Sequence, residues 1–323
     1  MRKSGWLSVA ALVASAGFVM SCGSDSPASN TGTVDKGAWA YPEHQFVIDE
    51  LVLPATSQDA KDLAFDLDGN GTVDNQLGNI LAALGPQMGS TSPQTSVDDA
   101  MKAGSIIVLM ALYAQDIQAS ASSNMWAFLG VGQTLTAGPQ PGGTFTVDAA
   151  NSPAAAYFGG KIKNGGGAYG GSAAALTLNI PLAAAGQTGS LNLALQAVHV
   201  EFDVSADGKS LENGRIGGAI SESDLNTKIL PEVQVLLQQQ IEAKCTLAGA
   251  TCTCEAGSGA ATIQSMFDTN SDCSIDLAEV QNNSLLKAFL KGDVTLANGE
   301  KGLSMAVGFH AVDALFTHAD PPK

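Results

Sequence analysis

The stretch from Asp268 to Glu279 reads Asp-Thr-Asn-Ser-Asp-Cys-Ser-Ile-Asp-Leu-Ala-Glu, with oxygen-bearing side chains at positions 1, 3, 5, 9 and 12. A short loop with carboxylates and amides at alternate positions aims several oxygens at one centre. That suits Ca2+, which takes about six to eight oxygen ligands at flexible distances. Asp268, Asn270 and Asp272 supply side-chain oxygens, and Ser274 offers its backbone carbonyl. Asp276 would ligate directly or through water, and Glu279 would close the site with two oxygens. Without a cation these like charges repel one another. Asp and Asn also favour turns for purely local reasons, so composition alone does not make the site. Position 8 is Ile275 and position 6 is Cys273. Position 6 of such a loop needs a positive φ, which costs a non-glycine residue on the order of 1 kcal/mol.

A second acidic loop runs from Asp66 to Asp74, with Asp66, Asp68, Asn70, Thr72 and Asp74 at the corresponding places. Here Gly71 stands at position 6 and Val73 at position 8. Position 12 is Leu77, which cannot ligate, so a further ligand must come from elsewhere, with Asp62 and Asn75 the candidates. With predicted helices on either side, 268–279 resembles the EF-hand calcium loop. Residues 66–74 resemble the D-x-D-G-N-G-x-x-D loops of EF-hand, dockerin and thrombospondin type 3 proteins. The resemblance implies one or two bound calcium ions. Extracellular calcium modules work at affinities of about 0.1–1 mM, which points to a structural role rather than signalling.

The N-terminus reads as a targeting segment. Arg2 and Lys3 precede an apolar run, Trp6 to Met20, that is too short to span a bilayer as a helix. It ends in Val19-Met20-Ser21-Cys22, which resembles the lipobox of bacterial lipoproteins. The resemblance implies acylation of Cys22, with the lipid bilayer as partner. In that family aspartate after the cysteine goes with inner-membrane retention, so with Gly23 there the resemblance implies an outer-membrane or cell-surface location. Four cysteines remain: Cys245, Cys252, Cys254 and Cys273. An even set in an exported chain reads as two disulfides. Cys252 and Cys254 are too close to bridge easily. Cys245–Cys252 with Cys254–Cys273, and Cys245–Cys254 with Cys252–Cys273, both stay open. Either one staples Cys273 to the segment before its loop. Zinc is the rival reading, weakened by the spacing and by the lack of a paired C-x-x-C.

Removing Arg2 and Lys3 leaves 13 basic residues against 31 acidic ones, a formal charge of −18. With no basic patch, nucleic-acid binding is excluded. The chain lacks H-E-x-x-H, G-x-S-x-G and the phosphate-loop motif, and its histidines (His44, His199, His310 and His318) are scattered. No catalytic residue and no organic cofactor is expected.

Patterning organises the chain into a signal peptide over 1–21 and a lipidated cysteine with flexible tether over 22–40. Residues 41–100 carry a first strand, the acidic loop at 66–74 and short helices. Residues 101–220 switch to period-two alternation, with predicted strands at 105–114, 123–131, 143–149, 157–163, 175–181, 190–204 and 214–220. Val198, Val200, Phe202 and Val204 alternate there with His199, Glu201 and Asp203. Residues 221–323 form a helical, cysteine-rich region that frames the second loop, and then two strands that return to the sheet. The predicted fold is α+β: an antiparallel β-rich core, sandwich or curved sheet, with a C-terminal EF-hand-like helix-loop-helix. The expected role is that of a membrane-anchored, calcium-stabilised exported lipoprotein, structural or ligand-binding, with an extracellular glycan or protein as ligand. The alternative is a calcium-dependent carbohydrate-binding or adhesin-like module. A hydrolase without a recognised motif is the remaining reading.

Overall fold

The computed structural model describes residues 32–84, 93–150, 156–171, 174–181, 190–249, 251–256 and 258–321. Cys22, the signal segment and the helix stop at Gly85-Pro86 lie outside them. The strands are β1 (Glu43–Val52), β2 (Val108–Ala114), β3 (Ser120–Leu129), β4 (Gly143–Thr146), β5 (Tyr157–Lys163), β6 (Gly166–Gly170), β7 (Ala175–Pro181), β8 (Ser190–Val204), β9 (Ser210–Ser221), β10 (Cys245–Ala248), β11 (Thr251–Cys254), β12 (Val294–Thr295) and β13 (Lys301–Thr317). The helices are α1 (Ser57–Asp62), α2 (Gln76–Leu84), α3 (Pro93–Ala103), α4 (Glu222–Asp224), α5 (Leu230–Lys244), α6 (Gly259–Phe267), α7 (Leu277–Asn282) and α8 (Ser284–Phe289).

The α+β class and the antiparallel, β-rich core stand. The sheet, however, closes on itself. Strands β1, β2, β3, β5, β6, β8, β9 and β13 pair in that order, and β13 pairs back to β1, giving an eight-stranded antiparallel barrel rather than a sandwich. Bulges let the sheet curl: the register shifts in β1 between Ile48 and Glu50 and in β13 between Phe309 and Ala311. Closure removes the exposed edges that an open curved sheet would carry.

Alternation decides what fills the barrel. Phe46, Met110, Leu112, Met125, Phe158, Val200, Phe202, Met305 and Val307 share one buried cluster. Tyr169 is fully enclosed among them, stacked on Phe202 at 5.6 Å with its hydroxyl 2.7 Å from Ser123 Oγ. The period-two reading of β8 holds, since Val198, Val200, Phe202 and Val204 all belong to this core. Their neighbours Glu201 and Asp203 lie on the other face of the strand, more exposed than the core residues. Among the described residues no helix is long and apolar enough to cross a membrane. Strand β6, Gly-Gly-Ala-Tyr-Gly, takes in Gly166 and Gly167 of the glycine-rich stretch 164–167, which by composition reads as a turn. Its glycines make room for rings: a Cβ on Gly167 would lie 2.4 Å from Phe202.

Strand β2 is buried along its whole length. Its second face, Leu109, Ala111 and Tyr113, packs outside the barrel with Ile107, Trp126, Phe128, Phe145 and Phe316. A 3-10 helix, Lys36–Ala40, lies on this face and brings Trp39 edge-on to Tyr113 at 4.9 Å. Residues 35–40 are therefore packed against the barrel. Trp39 buries aromatic surface here, and Asp35 exchanges hydrogen bonds with Asn124 at 3.1 and 2.7 Å.

The tight turns at 115–119, 164–165 and 205–209 sit at one end of the barrel, and every helical insertion leaves from the other. Both acidic loops lie in these insertions. The helix after β9 continues through a π-helical stretch, Leu225–Ile229, into α5, although Pro231 by residue type would favour a break there. Proline is tolerated there because it falls in the first turn of α5.

Candidate metal centres

The first loop, 66–74, hangs between two fixed points. Phe65 pairs with Asp74 in an isolated bridge, and the Asp74 amide donates to the Phe65 carbonyl at 2.7 Å. The Phe65 ring lies against Gly217, where a Cβ would come within 2.5 Å of it, and under the Arg215 guanidinium at 4.5 Å. Arg215 also donates to the Ala64 carbonyl at 2.9 Å and pairs with Glu201 at 2.5 Å. The exit is held by Asn75. Its side chain donates to the carbonyls of Ala60 and Ala306 and accepts from the amides of Gly78 and Ala306, all within 3.1 Å. Asn75 is thus fully used as a structural bracket and is not the missing calcium ligand. Asp62, the other candidate, accepts from the Gln58 side chain at 2.7 Å on α1.

Inside the loop, Asp66 accepts from the amides of Asn70 at 3.0 Å and Gly71 at 2.9 Å. The Asn70 amide also reaches Asp68 at 3.3 Å, and the Thr72 amide donates to the Asn70 side chain at 2.7 Å. Carboxylate oxygens of Asp66, Asp68 and Asp74 lie within 4.8 Å of one another. Burial, with Asp293, Asp68 and Asp66 adding negative charge nearby, pushes the Asp74 carboxyl up to about 6.

The second loop repeats the pattern. Asp268 accepts from the amides of Asp272 and Cys273, both at 3.0 Å. The Asp272 amide also reaches Asn270 at 3.0 Å, and the Ser274 amide donates to Asp272 at 2.8 Å. Positions 4 and 6 have positive φ in both loops: Gly69 +73° and Gly71 +85° in the first, Ser271 +59° and Cys273 +63° in the second. The positive φ expected of Cys273 is present.

The loops differ in their surroundings. Ile275 is buried in a satellite core with Leu230, Ile241, Phe267 and Val280, whereas Val73 is half exposed. Both backbone groups of Ile275 are taken by glutamines of α5: its amide donates to Gln238 at 2.7 Å and its carbonyl accepts from Gln234 at 2.6 Å. Asp276 caps α7, and Glu279 reaches back to the Asp276 amide in a capping box. Glu279 also accepts from the Thr269 amide and hydroxyl, each at 2.8 Å. Among the described residues, three carboxylates converge within 4.8 Å in the first loop but not in the second.

The cysteines pair as Cys245–Cys254 and Cys252–Cys273, the second of the two open connectivities. Hairpin β10–β11 makes the choice by placing Cys245 directly opposite Cys254. The clustered sulfurs of Cys245, Cys252 and Cys254 are spent in disulfides, which removes zinc as their occupant. The histidines stay apart. His310 contacts Asp49 at 2.7 Å, His318 contacts Glu43 at 2.9 Å, and His199 packs on Phe65 with its pKa lowered by burial.

Local sequence carries no sign of Arg215, Gln234, Gln238 or Asp293. Each reaches its loop from a distant part of the chain. Comparison of the chain with protein-family models, with curated proteins and with solved structures finds no match.

Proposed function

We propose that this chain is an exported lipoprotein, anchored through Cys22 at the outer membrane or cell surface, whose packed barrel is stabilised by calcium in the loops 66–74 and 268–279. The loop 268–279 between α6 and α7 acts as an EF-hand-type calcium hairpin. One observation carries the reading: two stretches some 200 residues apart adopt the same set of four hydrogen bonds with positive φ at positions 4 and 6. That backbone supports the reading because it brings the side chains of positions 1, 3 and 5 to the same short turn, from which an oxygen-seeking cation could draw its ligands.

The residues fit such an ion. Asp66, Asp68 and Asp74 bring like charges together, and burial raises the pKa of Asp74. A divalent cation relieves both conditions. In the second loop Asp268, Asn270, Asp272, the Ser274 carbonyl, Asp276 and Glu279 would hold the ion. Glu279 would first have to release Thr269. Calcium bound only by the folded state stabilises it by mass action, about 2.7 kcal/mol at a free concentration of about 100 Kd. The filled barrel supports a structural body over a ligand-enclosing one.

Titration calorimetry with Ca2+ and thermal unfolding with and without chelator test the reading together. Heat of binding and a rise in Tm are expected. Glu279→Gln should weaken one site and leave the other, and Asp66→Asn should do the converse. Absence of both heat and Tm shift would remove calcium from the account.

A further inference from the structure

We propose that the Cys252–Cys273 disulfide is a redox lock that holds residues 268–276 in their closed shape, and that its reduction frees them. Cys273 sits at φ +63° and Ser271 at +59°, left-handed conformations that side-chain-bearing residues rarely adopt. Such residues persist where their surroundings over-determine them. The Cys273 sulfur is bonded to Cys252 on β11. The Cys252 amide donates to the Ser271 carbonyl at 2.7 Å. Gln238 donates to the Cys273 carbonyl at 3.3 Å. Of these three tethers only the disulfide is covalent, and it positions Cys252 for the second.

The first loop supplies the control. It holds the same backbone with Gly69 and Gly71 at the two left-handed positions, where no side chain opposes them. The second loop has no glycine at either position and has a sulfur bridge instead. What glycine does in one loop, the disulfide does in the other.

Cys273 is partly buried and Cys252 is buried, so a small dithiol would approach the bridge from the Cys273 side. A dithiol attacks the bridge, gives up two electrons and two protons, closes to its own disulfide, and leaves Cys252 and Cys273 as thiols. Cys273 then relaxes toward negative φ. Its amide turns away from Asp268, which keeps only the Asp272 amide as a donor. One consequence rests on the calcium reading above: the reduced loop binds Ca2+ more weakly, and by reciprocity Ca2+ protects the bridge from reduction.

The test uses the full-length chain in three forms: unaltered, Cys252→Ser with Cys273→Ser, and Cys252→Ser with Cys273→Gly. Amide hydrogen exchange is followed across 268–276 without calcium. The serine pair is expected to exchange Asp272 and Cys273 (or its replacement) about tenfold faster than the unaltered chain. The glycine form should recover most of that difference, because glycine accepts the required φ. Equal exchange in all three forms overturns the lock. The unaltered chain provides an independent readout should the serine pair not fold. Dithiothreitol reduction is followed by alkylation and mass mapping with and without Ca2+. Slower loss of Cys252–Cys273, with Cys245–Cys254 unaffected, supports the lock and its link to calcium. Faster exchange in the serine pair with no calcium effect on reduction sustains the lock and overturns the calcium reading of this loop.

Discussion

Asn75 shows how a side chain that looks like a ligand can be a bracket. It follows an acidic loop lacking its last ligand, and its amide has the right chemistry. Yet it is buried, and both ends are saturated by backbone groups of Ala60, Gly78 and Ala306. Asn75→Ala should therefore destabilise the fold by roughly 3 kcal/mol, because it leaves several buried backbone groups unpaired. Denaturant unfolding of the calcium-free protein would measure this, and a calcium-specific effect with unchanged apo stability would contradict it. Cys273 teaches the opposite lesson. Its position in the loop already predicts the positive φ, and only the partner of its sulfur waits for the structure.

Among the elements, the C-terminal end of β13 and the start of β1 are joined by a small polar latch. His318 is enclosed by Trp126, Phe128 and Phe316 and contacts Glu43 at 2.9 Å, while the Tyr113 hydroxyl donates to the same carboxylate at 3.1 Å. The hydrogen bond to Glu43 raises the His318 pKa above its ordinary 6.5, and the same contact lowers that of Glu43 below 4.5. The signs differ for the two groups. The histidine contribution is complete below about 6.5 and is lost as pH rises through its raised folded value. The glutamate contribution is complete above about 4.5 and is lost as pH falls through its depressed value. The latch is strongest between these limits. In His318→Gln, stability should no longer fall through the neutral-to-alkaline range on account of this pair, and Tm across a pH series checks it. An unchanged pH profile would show that the latch does not titrate as described.

At the scale of the molecule, the barrel places its tight turns at one end and all its helical insertions, with both acidic loops, at the other. Gly32 lies beside Gly170 and Gly171, and from there the chain runs along the outside of β5 and β3 before β1 begins. Gly170 lies at the insertion end of its strand. Cys22→Ser should move the protein from the membrane to the soluble fraction. Unchanged fractionation would argue against acylation.

Local chemistry sufficed for much of this protein. The positions of both acidic loops, the cysteine parity, the helices on either side of 268–276 and strands such as β5, β7 and β8 follow from residue spacing, because turn conformation and amphipathic alternation are short-range effects. Tertiary structure alone decided the rest. Barrel closure depends on β13 pairing with β1 across some 260 residues, and no local pattern encodes which distant edges meet. The glycine-rich β6 looked like a turn because its stabilising rings, Phe202 above all, come from another strand. The disulfide pairing was set by the β10–β11 register, and the brackets Arg215, Asn75, Gln234 and Gln238 act only through contacts made after the chain has folded. Spacing shows where oxygens can gather; the packed fold determines which are free to hold an ion and which are already hydrogen-bonded to the backbone.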